Sequence, residues 1–350
     1  MKKTILSLSL LVLSTLFFSC STKVDLYADY KDIPVIYGLL DATLDTNFVR
    51  INRAFSGSND NPINANEVAL IADSCNYPTK LDAKIYRYGK TASSFSTYTL
   101  EDYVTLYTMT IHNKQPGTFY SPDQFVYYSV SNDSNQSQAF FKTNTASKNY
   151  KYKLVVLKDN DTVSSETNLV GGEGFSILNN RVVFSSEPSD KTGKVSFKPA
   201  ENAAMYEVSM EFNYREKHLN SDTISKKVSW SYGSKGVEEY SFEDGVYFIT
   251  YLENTLFTNL ATQIGGDTLG VERYFGDFYI TIAAGGTELY NYIQINATGG
   301  NLSQTIPDYT NVNGGYGVFS SRINLRKKTL LSAMTQTDLY NQPWGFKQLK

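Results

Sequence analysis

The residue types that could do chemistry in this chain are few. It has two cysteines, Cys20 and Cys75, and two histidines, His112 and His218. A cysteine nucleophile needs a histidine nearby to activate its thiol, and nothing in the spacing brings Cys75 to either histidine. Cys75 is therefore expected to be a plain or buried thiol.

Sequence motifs of known catalytic sites are missing. The chain has no Gly-x-Ser-x-Gly elbow, no His-Glu-x-x-His, no Walker loop and no Cys-x-x-Cys. Paired carboxylates occur at 238–239 and 243–244, but acids in strands and loops normally lie on a solvated face. We expect no catalytic residues and no cofactor, and a glycan or peptide hydrolase is the least favoured function.

Two acidic loops, 59–61 and 159–161, could offer oxygen ligands to calcium. Neither has the alternating acids and distal glutamate of an EF-hand. Because Asp and Asn also favour tight turns, both loops are explained without an ion. No metal site is predicted.

Tyrosine is frequent, with 27 residues in the chain. Rings on exposed strands or loops stack on sugars and peptides, so a cleft of them would be a binding site. The alternative is that tyrosine simply favours strands. The aromatic candidates and their basic neighbour are Tyr86, Arg87, Tyr88, Tyr103, Tyr107, Tyr127 and Tyr128. Which residues bind a ligand stays open.

The first twenty residues predict export and lipid attachment. A lysine pair precedes an apolar run, and Ser19 puts a small residue before Cys20. This pattern is typical of a lipoprotein signal peptide over 1–20, with Cys20 as the lipidation site and 21–31 as a polar tether. The run is too short and too rich in serine for a membrane-spanning helix. Simple secretory cleavage stays an alternative, because Phe17 stands where leucine is usual.

Charge excludes one class of partner. Loss of the signal removes two lysines from the 32 basic residues and leaves 30 against 35 acidic ones, a net charge of −5. A nucleic-acid-binding protein would need a concentrated basic surface. We therefore expect no nucleic-acid partner.

Apolar alternation predicts a mainly β fold. Strands are expected at 33–40, 48–55 and 81–89, and a hairpin at 150–170. We interpret 32–186 as a β-sandwich domain of immunoglobulin, fibronectin III or transthyretin type, followed by a linker at 187–193.

The remainder, 194–350, is predicted to be a β-rich α+β domain. Phe197, the turn after it and the alternation over 205–214 resemble the first strands of a fibronectin type III module. Apolar residues at every fourth position predict a helix over 247–264. Residues 287–296 fit a helix or a strand, and the helix is preferred. A tight glycine loop at 311–322 and a short last helix at 336–340 are also expected.

Several segments together resemble an uncharacterised family of Bacteroidetes cell-envelope lipoproteins. They are residues 34–40, 49–57, 152–169, 206–208 and 307–322. The resemblance implies a lipid-anchored, β-rich protein without an assigned reaction, and some members are thought to accompany outer-membrane transporters. It carries no catalytic residues, so it implies location and architecture only.

The leading hypothesis is a non-enzymatic protein, lipid-anchored at the outer membrane, that binds a ligand or partner as an accessory to a transporter. The alternative is a fimbrial or adhesion subunit that polymerises by strand donation. The membrane face, the partner and the oligomeric state stay open.

Substitution of Cys20 tests the anchor. Cys20→Ala removes the acylated thiol, so the protein should move from the membrane fraction to the soluble fraction of fractionated cells. Cys75→Ala is the matched control and should stay with the membrane. An unchanged distribution of the Cys20 variant would contradict lipid attachment.

Overall fold

The computed structural model describes residues 32–54, 65–91, 96–112, 115–117, 120, 123–130, 140–187, 190–219, 222–264, 270–298 and 309–347. The predicted signal, the tether and the acidic loop at 59–61 lie outside these residues. The chain is mainly β, as predicted, with antiparallel sheets that form β-sandwich layers. Within the described ranges, no helix has the length and apolar character needed to cross a membrane.

Nineteen strands and five α-helices are described. The strands are β1 Pro34–Leu40, β2 Thr46–Arg53, β3 Asp82–Thr91, β4 Thr99–Thr105, β5 Tyr107–Ile111, β6 Gln124–Val130, β7 Lys148–Lys158, β8 Asp161–Thr167, β9 Ser176–Ile177, β10 Arg181–Val182, β11 Thr192–Lys198, β12 Met205–His218, β13 Thr223–Gly236, β14 Ser241–Glu243, β15 Val246–Leu252, β16 Val271–Gly285, β17 Val312–Asn313, β18 Tyr316–Leu331 and β19 Phe346–Lys347. The helices are α1 Ala65–Val68, α2 Ala72–Cys75, α3 Thr255–Ile264, α4 Thr287–Thr298 and α5 Ala333–Asn341.

The first core lies between two sheets. One layer is the end of a ten-stranded sheet, in the order β18-β1-β2-β6-β5, and the other is the five-stranded sheet β17-β8-β7-β3-β4. Ile36 and Val49 from the first layer meet Ile85 and Leu154 from the second, all without exposed surface. Alternation over these strands buries one face of each layer, which is why the sequence pattern predicted them.

The predicted hairpin at 150–170 is confirmed as β7 and β8. Lys158 pairs with Asp161 across the turn, and Asp159 adopts a φ of 51°. Asp tolerates this left-handed conformation better than most residues. The acidic loop at 159–161 is thus a turn.

The second core lies under the other half of the long sheet. Strands β13, β12, β16 and β18 cover the four-stranded sheet β14-β15-β11-β9, with α3 packed between them. The predicted face of β12 is confirmed, because its alternate residues Tyr206, Val208, Met210, Phe212 and Tyr214 are all buried. β11 and β12 lie in different sheets.

The predicted helix over 247–264 is wrong in its first part. Residues 246–252 form β15, which pairs with β11 and buries Ile249 and Tyr251, and only 255–264 is helical. A spacing of four residues also fits alternate positions of a strand, so the pattern did not distinguish the two. Aromatic and β-branched residues in this stretch favour the strand.

Three other expectations are confirmed. The ambiguous segment near 287–296 is helical, as α4, and the last helix is α5. The glycine loop is confirmed as a tight turn, but over a shorter span than 311–322, because β18 already begins at Tyr316. The Asn311 side chain fixes it by accepting from the Phe319 backbone N–H at 3.0 Å and donating to the Phe319 carbonyl at 2.7 Å.

Strand pairing crosses the predicted domain boundary. β1 pairs in parallel with β18, with Tyr37 opposite Val318. Leu169 belongs to the first core and Val170 to the second, so the chain passes from one core to the other at this point. Phe319, much later in the chain, belongs to the first core again. The proposed linker at 187–193 runs into β11, and its role as a domain boundary stays a prediction.

A glycine makes this parallel pairing possible. Gly317 has a φ of 109°, and a Cβ there would overlap the carbonyl oxygen of Ile36. Gly317→Ala should therefore lower the free energy of unfolding by more than about 2 kcal/mol in urea titrations. At Gly174 an added Cβ meets no atom within 4 Å, so Gly174→Ala is the control. Equal stability of both variants would contradict the close approach.

Buried tyrosines predict unfolding in alkali. Burial raises the pKa of Tyr206 and of Tyr251 to about 12, and it also raises the pKa of Tyr240. The folded state keeps these protons while the unfolded chain loses them near pH 10.0, so stability should fall as the pH rises from 10.0 towards about 12. Tyrosinate absorbance and circular dichroism should change together. Ionisation of these tyrosines in a protein that stays folded would contradict their burial.

Candidate functional site

The outward side of β1, β2, β6 and β5 is unusually apolar. We call it the apolar outer face, and it consists of Val35, Tyr37, Leu39, Thr46, Phe48, Arg50, Asn52, Tyr107, Met109, Ile111, Gln124, Val126, Tyr128 and Val130. Arg50 is the only charged residue among them. Its exposed members include Tyr37, Phe48, Tyr107, Met109 and Ile111, which are 39–51% accessible. Apolar patches of this kind mark binding surfaces.

The other half of the same sheet shows what a solvated face looks like in this protein. On β12, Glu211 binds Lys227 at 3.2 Å and Arg326 at 2.6 Å, and on β16 Asp277 binds Lys328 at 2.6 Å. A hydrogen bond from Asn213, together with Lys227 and Arg326, lowers the pKa of Glu211. Hydrogen bonds from Lys328 and Tyr279 lower the pKa of Asp277. The apolar character is thus local to one end of the sheet.

Aromatic rings cross the apolar outer face in a row. Phe48 on β2 lies opposite Tyr128 on β6, with ring centroids 6.3 Å apart, and Tyr128 lies opposite Tyr107 on β5 at 5.7 Å. Cross-strand neighbours point to the same side of a sheet, which brings these rings together. They form an aromatic row across three strands.

Helix α4 borders this face. At its first turn, Glu288 accepts hydrogen bonds from Ser320 at 2.9 Å and from Thr167 at 3.0 Å, which hold the helix on β18. Tyr292 then meets Tyr37 edge to face at 6.1 Å. A cavity of about 400 Å³ lies between the helix and the sheet, and its lining includes Phe48, Leu289 and Arg322.

A second cavity, of about 550 Å³, lies on the opposite side of Tyr37. We call it the Arg50 cavity, and it is lined by Val35, Tyr37, Arg50, Asn52, Arg53, Ala54 and Cys75. Tyr37 lines both cavities. The two cavities and the aromatic row make up the candidate site. It has apolar walls and few polar groups, as binding pockets for small molecules usually have.

The predicted aromatic candidates fall into three places. Tyr107 and Tyr128 lie on the apolar outer face. The rings of Tyr86 and Tyr103 lie 5.7 Å apart on the five-stranded sheet, and Tyr88 is on the same face of β3 as Tyr86. The outer side of this sheet also carries Lys151 and Lys153, both bound to Glu166. Tyr127 is buried, and its hydroxyl accepts from the Leu81 N–H at 2.8 Å.

Arg87 is a structural residue. It is buried, donates to the Phe140 carbonyl at 2.8 Å and lies 3.4 Å from Glu101. Lys148 also bonds Glu101, and the two cations outweigh burial and lower the pKa of this carboxyl. Arg87 therefore takes no part in the candidate site.

The cysteine and histidine candidates stand apart from one another. Cys75 is buried, as expected, and its thiol donates to the Ala69 carbonyl at 3.1 Å. His112 lies 3.0 Å from Asp123, and His218 lies 3.8 Å from Glu216. Among the described residues, no three His, Cys, Asp or Glu side chains group as a metal site would require.

The paired carboxylates have structural partners. Glu239 accepts from the Gly236 N–H at 2.9 Å, and Glu238 accepts from the Tyr290 hydroxyl at 2.6 Å, which lowers the pKa of Glu238. Asp244 occupies the β14–β15 turn with a φ of 50°. Glu238 and Glu239 thus make local contacts, Asp244 lies in a turn, and Glu243 is exposed on β14.

Sequence reasoning missed Tyr37, Arg50 and Tyr292. Alternation along the sequence places Phe48 and Arg50 on the face of β2 opposite Val49 and Ile51, and an aromatic residue on that non-core face is the available clue. Nothing local indicated that α4 would bring Tyr292 beside β1. No family model matches the chain, and no curated protein matches it either.

An apolar fluorescent dye tests the exposed row. Phe48 is 48% exposed and Tyr103, on the other sheet, is 54% exposed. If the apolar outer face binds the dye anilinonaphthalene sulfonate, Phe48→Ser should reduce the fluorescence by about a third or more, because it interrupts the patch. Tyr103→Ser should leave the fluorescence unchanged, since the outer side of that sheet carries the ion pairs of Lys151 and Lys153 with Glu166. An equal response of the two variants would contradict a localised patch.

Proposed function

We propose that this chain is a non-enzymatic protein of the cell envelope that is lipid-anchored through Cys20 and binds a partner or ligand on the apolar outer face. The observation that carries the proposal is that face itself, where one cation stands among exposed apolar side chains. Covering such a surface removes it from water and is favourable by roughly 25 cal/mol per Å².

The proposed location supports a membrane partner. A chain tethered by 21–31 to the outer membrane meets other envelope proteins at high effective concentration. A weak contact on the apolar outer face would then be enough for association. We propose an outer-membrane transporter as the partner, to which this protein is accessory.

Capture from membranes tests the proposal. Tagged full-length protein, recovered from detergent-solubilised envelopes, should bring down a β-barrel transporter. Phe48→Glu should lose that protein, because it puts an unpaired carboxylate into an apolar contact. Tyr103→Glu changes a similarly exposed ring on the other sheet and should retain it. Retention by both variants would place binding elsewhere, and no transporter in any sample would contradict the accessory role.

One observation favours the structural alternative, a subunit that polymerises by strand donation. Within the described residues, β5 is an edge strand that pairs only with β6, and its sequence YTMTI has no charge. The opposite edge, β13, carries Lys226, Lys227 and Lys235, and the β4 edge carries Glu101 and Asp102. Charges protect edges against pairing with other chains, and β5 is the longest uncharged edge strand in the described part of the chain.

The oligomeric state distinguishes the two functions. A strand-donating subunit should form chains or fibres at high concentration, and Met109→Lys on β5 should prevent them. Purified protein that stays monomeric by light scattering would contradict the structural alternative and leave the binding function standing.

A further inference from the structure

The Arg50 cavity contains a preoriented cation. The Arg50 Nε donates to the Asn52 side-chain oxygen at 2.5 Å. Asn52 is itself held, because its amide nitrogen donates to the Cys75 carbonyl at 2.9 Å and to the Asn76 side chain at 2.8 Å. One of the three guanidinium nitrogens, Nε, is thus hydrogen-bonded to a buried side chain that is itself held in place.

Within the described ranges, Arg50 differs from the other buried or half-buried arginines because it has no acidic partner. Arg53 binds Asp32 at 3.2 Å, Arg87 binds Glu101, and Arg273 binds Glu216 at 2.8 Å. Among the described residues, Arg50 makes no ion pair and no hydrogen bond through its two terminal nitrogens. A guanidinium with both terminal nitrogens available matches the two oxygens of a carboxylate.

The walls of the cavity indicate what the carboxylate is attached to. Val35, Ala54 and the Tyr37 ring are apolar, and Cys75 is a weak hydrogen-bonding group. A ligand covered with hydroxyl groups would leave many of them unpaired there, whereas a ring or alkyl chain would not. The volume of about 550 Å³ is within the range of sites for small molecules.

We propose that the Arg50 cavity binds a small monocarboxylate with an apolar body, whose carboxylate pairs with Arg50 and whose ring or alkyl chain packs on Tyr37 and Val35. The inference rests on the proposed function, because it names the ligand class for a cavity of the same site. The neutral amide of such an acid has the same shape and lacks the charge, so Arg50 should discriminate between the two.

Calorimetric titration of the purified full-length protein in detergent tests the inference. The probes are 3-phenylpropionate and hexanoate, each paired with its amide, and acetate serves as the anion without a body. At least one acid should bind about 10-fold or more tightly than its amide, as a charge-assisted bidentate pair would give. Comparison of 3-phenylpropionate with hexanoate shows whether the cavity prefers an aromatic ring or an alkyl chain. Acetate should not bind detectably.

Two variants test whether the acid binds at Arg50. Arg50→Gln should abolish the preference for acid over amide, and Arg181→Gln, which changes an exposed arginine on β10 outside the candidate site, should leave it intact. If Arg50→Gln does not fold, the acid-to-amide ratio of the unsubstituted protein still decides. Equal binding of acids and amides, or a preference that survives Arg50→Gln, would overturn the inference.

The two proposals fail in different experiments. Loss of transporter capture with intact acid binding would contradict the accessory function alone. If the acids do not bind, but a partner is captured and Phe48→Glu loses it, only the proposed ligand class is contradicted.

Discussion

The parallel pairing of β1 with β18 is the contact on which the rest of the structure depends. It joins an early strand to a late one and makes one ten-stranded sheet from both halves of the chain. Ile36 and Phe319 are fully buried beside it, and Gly317 lets the two backbones approach. Because α4 rests on β18, the same pairing places that helix beside β1. The cavity of about 400 Å³ lies along this seam, and the Arg50 cavity adjoins it across Tyr37 of β1.

On the outer side of the ten-stranded sheet, the two halves differ in chemical character. Beyond α4 in one direction, Glu211 and Asp277 form ion pairs with neighbouring strands. In the other direction, aromatic and aliphatic side chains stand exposed around Arg50 alone. Protein surfaces normally intersperse charges with apolar residues, which keeps apolar patches small. The proposed binding of a partner or ligand would give this largely apolar half a physical reason.

Sequence patterns predicted the layers because burial of one strand face has a period of two residues. Val49 and Ile51 alternate with Phe48 and Arg50, and this was enough to orient β2. The pattern failed over 246–252, because a four-residue spacing satisfies both a helix and a strand. The candidate site was harder to predict. Its tyrosines were expected as a class, but one cavity depends on the β1–β18 pairing and on the packing of α4. The Arg50 cavity depends on Cys75 lying beside β2. These contacts join segments far apart in the chain.

The most direct test of the central claim is photo-crosslinking in living cells at two positions. A benzophenone derivative of phenylalanine in place of Phe48 reports what covers the apolar outer face, and the same group in place of Tyr103 reports the opposite side of the sandwich. We expect a discrete crosslinked partner from position 48 and none from position 103. No adduct at position 48, or the same adducts at both positions, would contradict it.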